Sequence, residues 1–363
     1  PPAYHGQSVS FKMLVDSLAI TTPVEVINIA DKNLTGKSGV LFLLARILQY
    51  ILIICNFIRV LSKGPCRVYI TIAQSRSGFI RDFLMIWIAK LFRSPVVIHL
   101  KGGNYDGFYN EQPIWLKFLI RKTLLKVERI LVLGKNLLKM YDFEPKLKER
   151  LFIVENGLPF ELENEKHKTV NSTRIELLFL SNLIESKGYL DILDAIAKLP
   201  NKELFHINFA GAFHCNFDDV TVQSESHAKE QFYSRIKSLG IIDNVTYHGV
   251  VNGDEKLNLL KNSHIFLLPT NYSNEGQPVS IIEALAFGIP IVTTDYRAIS
   301  DMVIPYETGM FVKYGSSSDI ADALIYISKN DNYSRMSKAC IKQFKSKFTR
   351  DKHLLRITPH IKG

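Results

Sequence analysis

Residues 265–293 read IFLLPTNYSNEGQPVSIIEALAFGIPIVT, and this stretch predicts the fold of the chain. The apolar run at 265–268 has the length and composition of a buried strand, and the β-branched run at 291–293 predicts a second strand. Between them, residues 279–287 carry apolar side chains at helical spacing, after a glycine and a proline that suit the turn opening a helix. Strand, helix and strand in this order predict a βαβ unit with two parallel strands.

The same alternation of short β-branched runs and helical patterns continues in both directions. Strands are predicted in the first half at residues 24–29, 68–72, 96–99, 130–133 and 152–154, and in the second half at residues 176–180, 206–210, 245–247, 265–268, 291–293 and 310–312. Helices are predicted at residues 81–92, 113–127, 188–199 and 279–287. This order predicts an α/β protein with two Rossmann-like, doubly wound parallel-sheet domains that face each other across a cleft.

Length and local composition predict where these domains lie. A chain of 363 residues suits two domains, and the polar segment at 161–172 lacks periodicity, as a linker does. We therefore expect domains at residues 1–160 and 173–340. We also expect a first strand upstream of Pro1. Since the sequence starts without Met, a targeting segment ahead of Pro1 is one possibility. Ligands of doubly wound domains gather at the carboxyl ends of the strands, so we expect the site in the cleft.

The composition excludes several classes of protein and shows an uneven charge. With 47% hydrophobic and 22% charged residues, the chain is neither collagen-like nor disordered. Residues 1–160 hold 22 basic and 11 acidic residues, whereas the remainder has a net charge of −1. The excess in the first half indicates an anionic partner: a membrane, a nucleic acid or a phosphorylated substrate. The four cysteines lack metal-site spacing and indicate a reducing compartment.

Two helical segments of the basic half bear on that partner. In residues 40–61 the apolar set Leu43, Ile47, Ile51, Ile54, Ile58 and Leu61 recurs at helical spacing, which predicts an amphipathic helix packed on a sheet, with membrane-surface contact as the alternative. Residues 113–129 place Lys117, Arg121, Lys122, Lys126 and Arg129 on one side of a helix. This side is either a solvated face or a surface for anionic lipid. Nucleic acid is disfavoured because no nucleic-acid-binding motif accompanies the charge.

The loop and helix at residues 274–287 suit a bound anion. Free backbone N–H groups and the positive dipole end at Gly276–Val279 favour a diphosphate. Glu275 lies in the entry turn and Glu283 lies further into the helix, so both carboxylates could accept hydrogen bonds from sugar hydroxyls. The alternative is that Glu275 is a favourable first-turn acid and Glu283 a solvated helix residue.

This region resembles the Glu, seven residues, Glu signature of retaining family 4 glycosyltransferases, which have the two-domain GT-B fold. The neighbouring segments VTYHGVVNGDEKLNLLKNSHIFLLPT (245–270), IVTTDYRAISDMV (291–303) and TGMFV (308–312) resemble that family as well. The resemblance implies that Glu275 positions the donor sugar and acts in catalysis, and that Glu283 holds the ribose hydroxyls. It also implies that Gly276, Gln277, Pro278 and Val279 line the sugar and the diphosphate.

A second motif, SNLIESKG at residues 181–188, follows a predicted strand and offers Lys187 to a phosphate. Relatives carry an Arg and a Lys here that neutralise the diphosphate together. This chain keeps Lys187 but has Asn182 in place of the Arg, so the resemblance implies that another cation compensates. Lys101, Arg76 and Arg297 are the candidates.

The first domain contributes a third group of residues through the resemblance. PPAYHGQS at residues 1–8 is similar to the loop after the family's first strand, where Gly6 lets the backbone approach donor and acceptor. HLKGGNYDGFY at residues 99–109 places His99 at a strand end, where relatives carry a histidine near the transferring sugar. Lys101, Gly102 and Arg76 are weaker candidates on the acceptor side.

The resemblance implies a retaining glycosyltransferase that uses a UDP- or GDP-sugar, needs no cofactor and no metal, and acts on a lipid-linked or saccharide acceptor. Lipopolysaccharide, O-antigen or capsule synthesis is the expected setting, in the cytoplasm or at the inner face of the cell membrane. Residues 341–363 are expected to cross back onto the first domain. An inverting transferase, a phosphorylase or a non-catalytic glycan- or lipid-binding relative stays open. An oxidoreductase is disfavoured because no G-x-G-x-x-G follows a predicted strand.

Overall fold

The computed structural model describes residues 6–29, 40–159 and 174–362, without the side chains of residues 6–9, 40–43 and 46. The chain divides into two compact units. The N-terminal unit comprises residues 1–155 and 353–363, and the C-terminal unit comprises residues 156–352. The predicted linker at residues 161–172 lies outside the described residues.

The strands are β1 Val68–Ile72, β2 Val96–Leu100, β3 Arg129–Val132, β4 Leu151–Ile153, β5 Ile175–Leu180, β6 Phe205–Ala210, β7 Val245–Gly249, β8 Ile265–Leu268, β9 Ile291–Thr293 and β10 Gly309–Phe311. The helices are α1 Gly6–Ala19, α2 Val40–Leu61, α3 Arg76–Leu91, α4 Tyr105–Asn110, α5 Ile114–Leu124, α6 Tyr189–Lys198, α7 Glu225–Ser238, α8 Gly253–Asn262, α9 Val279–Ala286, α10 Ser317–Ile327, α11 Asn330–Lys347 and α12 Arg350–Lys362. Short 3₁₀ turns span Lys135–Tyr141, Pro145–Arg150, Glu185–Lys187, Lys202–Leu204, Ile242–Asn244 and Arg297–Asp301.

The N-terminal unit is built on a parallel sheet in the order β1-β2-β3-β4. Strand β2 is buried along its whole length, as expected for a parallel strand covered on both faces. Leu14 of α1 and Ile357 of α12 pack against the sheet with Val97 and Leu131. The C-terminal residues 353–363 therefore belong to the core of this unit.

The C-terminal unit is built on a parallel sheet in the order β10-β9-β8-β5-β6-β7. Chain order runs outward in one direction from β5 and in the other from β8, so the topology reverses between these neighbours. In doubly wound sheets ligands bind at the carboxyl ends of the strands at this reversal. The two parallel sheets with their helices confirm the predicted fold class.

Three local predictions were wrong. Residues 24–29 form no strand, because no described strand pairs with them and β-branched composition alone cannot supply a partner. Helix α5 ends at Leu124, so Lys126 lies beyond it and Arg129 is the first residue of β3. The third concerns the face on which α2 packs.

Helix α2 forms where it was predicted, but it packs through another face. Ile47, Ile51 and Ile58 of the predicted set are exposed, whereas Ile53 and Phe57, which lie outside that set, are buried. The helix is apolar around most of its circumference, so spacing alone does not decide which side faces the sheet. No helix in the described parts of the chain is both long enough and apolar enough to span a bilayer.

Candidate functional site

The loops after β5 and β8 meet at the carboxyl edge of the C-terminal sheet, where the strand order reverses. Gly188 ends the turn after β5 with a φ of +75°, a left-handed conformation that favours glycine. A Cβ at this position would lie 2.5 Å from the carbonyl oxygen of Pro269. The glycine therefore lets the two loops approach each other closely.

Lys187 lies between these two loops. Its Nζ donates a hydrogen bond to Ser181 Oγ at 2.8 Å and lies 3.5 Å from Glu275 Oε2. The same ammonium group lies 5.1 Å from the centre of the Tyr272 ring. Glu275 is buried and also accepts a hydrogen bond from Thr270 Oγ1 at 3.4 Å. The fold thus brings together a lysine and a carboxylate from separate sequence motifs.

Helix α9 begins beside this pair, at Val279, and follows Pro278. Its first backbone N–H groups have no partner within the helix, which makes this end suited to an anion. Gln277 is buried next to it, and its Oε1 accepts a hydrogen bond from the backbone N–H of Asn156 at 2.6 Å. Its Nε2 has no hydrogen-bond partner among the described residues. This amide is a donor available to a ligand oxygen.

Glu283 is buried in the second turn of α9. Lys256 of α8 donates a hydrogen bond to Glu283 Oε1 at 2.5 Å. Burial raises the pKa of the Glu283 carboxyl, and the charge of Lys256 opposes this rise. The alternative of a solvated helix residue is therefore wrong for Glu283. Lys256 stands inside the quoted segment 245–270, but sequence reasoning missed it because nothing local indicates which acid it meets.

The loop after β6 is a second feature that the sequence did not reveal. The carboxylate of Glu185 accepts hydrogen bonds from the backbone N–H groups of Val220, Thr221 and Val222. Asp218 Oδ2 accepts hydrogen bonds from the backbone N–H and the Oγ of Ser273 at 3.2 and 2.8 Å. This loop therefore joins the loops that follow β5 and β8. Residues 211–224 contain no motif that would have indicated these contacts.

Asn182, which replaces the family's Arg, is exposed at the carboxyl end of β5. Of the three cations proposed to compensate, only Arg297 belongs to the C-terminal unit. It starts the 3₁₀ turn after β9 with a φ of +51°, and its guanidinium carbon lies 5.4 Å from the centre of the Tyr296 ring. Arg76 and Lys101 belong to the N-terminal unit.

His99 lies on β2 and is fully buried inside the N-terminal unit. The Tyr69 hydroxyl and His99 Nδ1 share a hydrogen bond at 2.8 Å. Burial lowers the pKa of His99 well below its usual value, and the charges of Lys101 and His353 act in the same direction. Burial also lowers the pKa of Lys101, to about 7. Both groups therefore shift toward their neutral forms near neutral pH.

The remaining N-terminal candidates lie around the carboxyl ends of β1 and β2. A Cβ on Gly102 would lie 2.0 Å from Nε2 of Gln74, so this glycine permits a close contact. Arg76 begins α3, and its Nε donates a hydrogen bond to Gln112 Oε1 at 2.8 Å. Gly6 is the first residue of α1, whereas it was expected inside a loop at residues 1–8. The preceding part of that loop lies outside the described residues.

Within residues 6–29, 40–159 and 174–362, no three His, Cys, Asp or Glu side chains are grouped so that they could hold a metal ion. The cations at the candidate site are the side chains of Lys187 and Lys256.

The family model described as "Glycosyl transferases group 1" matches residues 161–346, which is just over half of the chain. The chain belongs to this family. The match contains both Lys187 and Glu275, the pair between the β5 and β8 loops. It confirms the resemblance to glycosyltransferases and the assignment to this class of enzyme.

Two curated relatives of this chain are named as glycosyltransferases. The chain is 29% identical to a phosphatidyl-myo-inositol mannosyltransferase of Mycobacterium leprae, over 43% of this chain and 37% of that protein. It is 23% identical to the capsular polysaccharide biosynthesis glycosyltransferase CapM of Staphylococcus aureus, over 57% of this chain and 48% of that protein. The chain thus spans less than half the length of each.

Among solved structures, Anabaena HepE in complex with UDP matches with a TM-score of 0.69 and 14% sequence identity. The match covers 97% of this chain and 89% of HepE. At this identity the likeness is one of fold, and it agrees with the two parallel sheets described above.

Proposed function

We propose that this chain is a retaining, metal-independent glycosyltransferase that moves a sugar from a UDP- or GDP-sugar to a hydroxyl of a lipid-linked or saccharide acceptor. The observation that carries the proposal is the meeting of Lys187 Nζ and Glu275 Oε2, 3.5 Å apart, at the reversal of the C-terminal sheet. The N-terminus of α9 opens at the same sheet edge. A cation and a helix N-terminus suit a diphosphate, and a carboxylate suits sugar hydroxyls.

Each of these groups has a role in the proposed reaction. The bond between the anomeric carbon and the diphosphate oxygen breaks, and a bond to the acceptor oxygen forms on the same face of the sugar. The nucleoside diphosphate leaves with the electron pair, and the acceptor hydroxyl passes its proton to the departing diphosphate oxygen. Lys187 and the N–H groups at the start of α9 stabilise the charge that develops on the leaving diphosphate. Glu275 positions the sugar, and Glu283 holds the ribose hydroxyls.

Two neighbours support the choice of donor and acceptor. HepE was solved with UDP, which favours a nucleoside diphosphate as the leaving group. The names of the mannosyltransferase and of CapM refer to a phosphatidylinositol substrate and to capsular polysaccharide, which favours surface-glycan assembly on a lipid-linked acceptor. In the proposed assignment the basic N-terminal unit receives this acceptor.

The proposal is tested by binding and turnover in the full chain. UDP and GDP are titrated calorimetrically, and release of nucleoside diphosphate from UDP- and GDP-sugars is followed with and without EDTA. Lys187→Met is expected to weaken nucleoside diphosphate binding about 10- to 100-fold, because a charged hydrogen bond contributes about 1.5–3 kcal/mol. Glu275→Gln is expected to retain that binding and to lower turnover about 100-fold.

Lys338→Met and Glu230→Gln, at exposed positions of the same unit, are the matched controls. Unchanged binding and turnover in Lys187→Met and Glu275→Gln would refute the assigned roles. Loss of turnover in EDTA that Mg²⁺ restores would refute metal independence. The anomeric configuration of the product, read by NMR, separates retention from inversion.

A further inference from the structure

Three neighbouring helices of the N-terminal unit expose apolar side chains on their outer faces. Helix α3 packs against both α2 and α5, and Trp87 Nε1 of α3 donates a hydrogen bond to Thr123 Oγ1 of α5 at 3.2 Å. Large exposed apolar side chains on these helices include Leu48 and Leu52 of α2, Ile80 of α3, and Ile114, Trp115 and Phe118 of α5. We call this surface the outer helical face.

Core packing does not account for these side chains. Helix α2 already buries Ile53, Phe57 and Leu61, and α5 already buries Leu116 and Ile120. The exposed residues therefore form a second apolar side on helices whose first side is used. Single exposed apolar residues are ordinary, but an apolar surface shared by three packed helices is typical of an interaction site.

The charge on the same helices indicates what covers them. The sequences of α2, α3 and α5 contain eight Lys or Arg residues and a single acid, Asp82, which is buried and paired with Arg81. Lys122 Nζ lies 5.4 Å from the centre of the exposed Phe118 ring, so a cation stands beside an apolar anchor. Aromatic and aliphatic side chains interspersed with lysines are typical of segments that lie in the interface of an anionic bilayer.

We propose that the outer helical face docks on an anionic membrane leaflet. Ile114, Trp115 and Phe118 enter the headgroup region, while Lys117 and Lys122 lie against lipid phosphates. This orientation satisfies both the apolar and the basic groups, since a bilayer surface offers acyl chains and negative charge together. The inference deepens the lipid-linked acceptor of the proposed function, but it requires nothing of the donor chemistry.

The test uses the full chain and vesicles of two compositions. Co-sedimentation is measured with vesicles of pure phosphatidylcholine and with vesicles containing 40% phosphatidylglycerol. We expect binding to the anionic vesicles that weakens at high salt, and little binding to the neutral ones. Each lysine near the surface contributes roughly fivefold, so Lys117→Gln/Lys122→Gln is expected to weaken binding about 25-fold.

The apolar contribution is tested with the triple variant Ile114→Ser/Trp115→Ser/Phe118→Ser, expected to weaken vesicle binding at least tenfold. Ile242→Ser/Val250→Ser removes exposed apolar residues from the C-terminal unit, and Lys338→Gln/Lys342→Gln removes the same charge there. Both controls are expected to bind as the unaltered chain does. Circular dichroism checks that every variant is folded.

Three outcomes would overturn the proposal. The first is no binding to anionic vesicles, and the second is binding that neither face variant changes. The third is a concentration-dependent dimer in light scattering that only the Ser variant dissolves, since the face would then join two copies. Nucleoside diphosphate binding is measured in parallel without vesicles. If the chain binds vesicles but no nucleoside diphosphate, the proposed function is refuted and the proposed membrane surface is retained.

Discussion

The buried carboxylates beside β5 and β8 and the buried bases beside β2 are held in opposite ways. In the C-terminal unit each buried carboxylate faces a lysine: Glu275 lies 3.5 Å from Lys187, and Glu283 lies 2.5 Å from Lys256. Beside β2 in the N-terminal unit, burial instead lowers the pKa of His99 and Lys101. The first edge keeps these charges by pairing them, whereas beside β2 burial favours the neutral forms of His99 and Lys101.

This difference bears on what each edge can bind. Paired charges can exchange their partners for the charges and hydroxyls of a ligand, as the proposed nucleotide sugar requires. Groups held near neutrality give the N-terminal edge a charge that depends on pH. Substitutions at Lys101, His353 and Lys256 test whether the two edges differ in this way.

The largest effect is expected for Lys101. Its pKa is about 7 in the folded protein and about 10.5 when unfolded, so between these values the unfolded chain binds the extra proton. The stability of the N-terminal unit should therefore rise by about 1.4 kcal/mol per pH unit between pH 7.5 and 10, about 3.5 kcal/mol in all, and Lys101→Met should abolish this slope. Urea unfolding followed by tryptophan fluorescence measures it, since both tryptophans, Trp87 and Trp115, lie in this unit.

Lys139→Met is the matched control, because Lys139 is exposed in the same unit. The control should keep the pH slope of the unaltered chain. Equal slopes for Lys101→Met and the unaltered chain would show that Lys101 stays charged in the folded state.

A smaller effect, with the same sign, is expected for His353. Burial and the charge of Lys101 lower the pKa of His353 to about 4, and its Nδ1 lies 2.6 Å from the carbonyl oxygen of Glu155. The stabilisation is present above the unfolded pKa of about 6.5 and is lost as pH falls towards 4, in total about 2–3 kcal/mol. In His353→Gln this loss of stability between pH 6.5 and pH 4 should disappear. His227→Gln, at a partly exposed site of the C-terminal unit, should leave it unchanged.

The sequence was more informative about the C-terminal edge than about the N-terminal one. Local motifs predicted Lys187 and Glu275 because a strand followed by a turn and a helix is a pattern of neighbours in the chain. The reversal between β5 and β8 could not be predicted, since strand order depends on pairing between distant segments. Lys256 was missed for the same reason: its partner lies on another helix.

Helix α2 shows how far the sequence could predict the structure of the N-terminal unit. Its existence and length follow from composition, because Val40–Leu61 is almost wholly apolar. Which side packs does not follow, because an apolar residue on either side satisfies the same helical period. Ile47 and Ile51 were expected to face the sheet, but they are exposed to solvent. They lie on the helix that contributes Leu48 and Leu52 to the outer helical face, which we assign to the membrane.

The smallest effect is expected at the pair of Glu283 and Lys256. Removing the lysine leaves a buried carboxylate without its cation, so Lys256→Met should destabilise the chain by about 2 kcal/mol at pH 8. This loss is smaller than that of a fully buried ion pair, because Lys256 is partly exposed. Burial raises the pKa of Glu283, so the cost should shrink as the pH falls toward 5 and the carboxyl takes up a proton. Adding Glu283→Gln to Lys256→Met should recover most of the lost stability. Thermal unfolding of the two single variants, the double variant and the unaltered chain at pH 8 and pH 5 measures this coupling. If the double variant is no more stable than Lys256→Met alone, the two residues are not coupled, and the contrast between a paired edge and a neutralised edge fails at this pair.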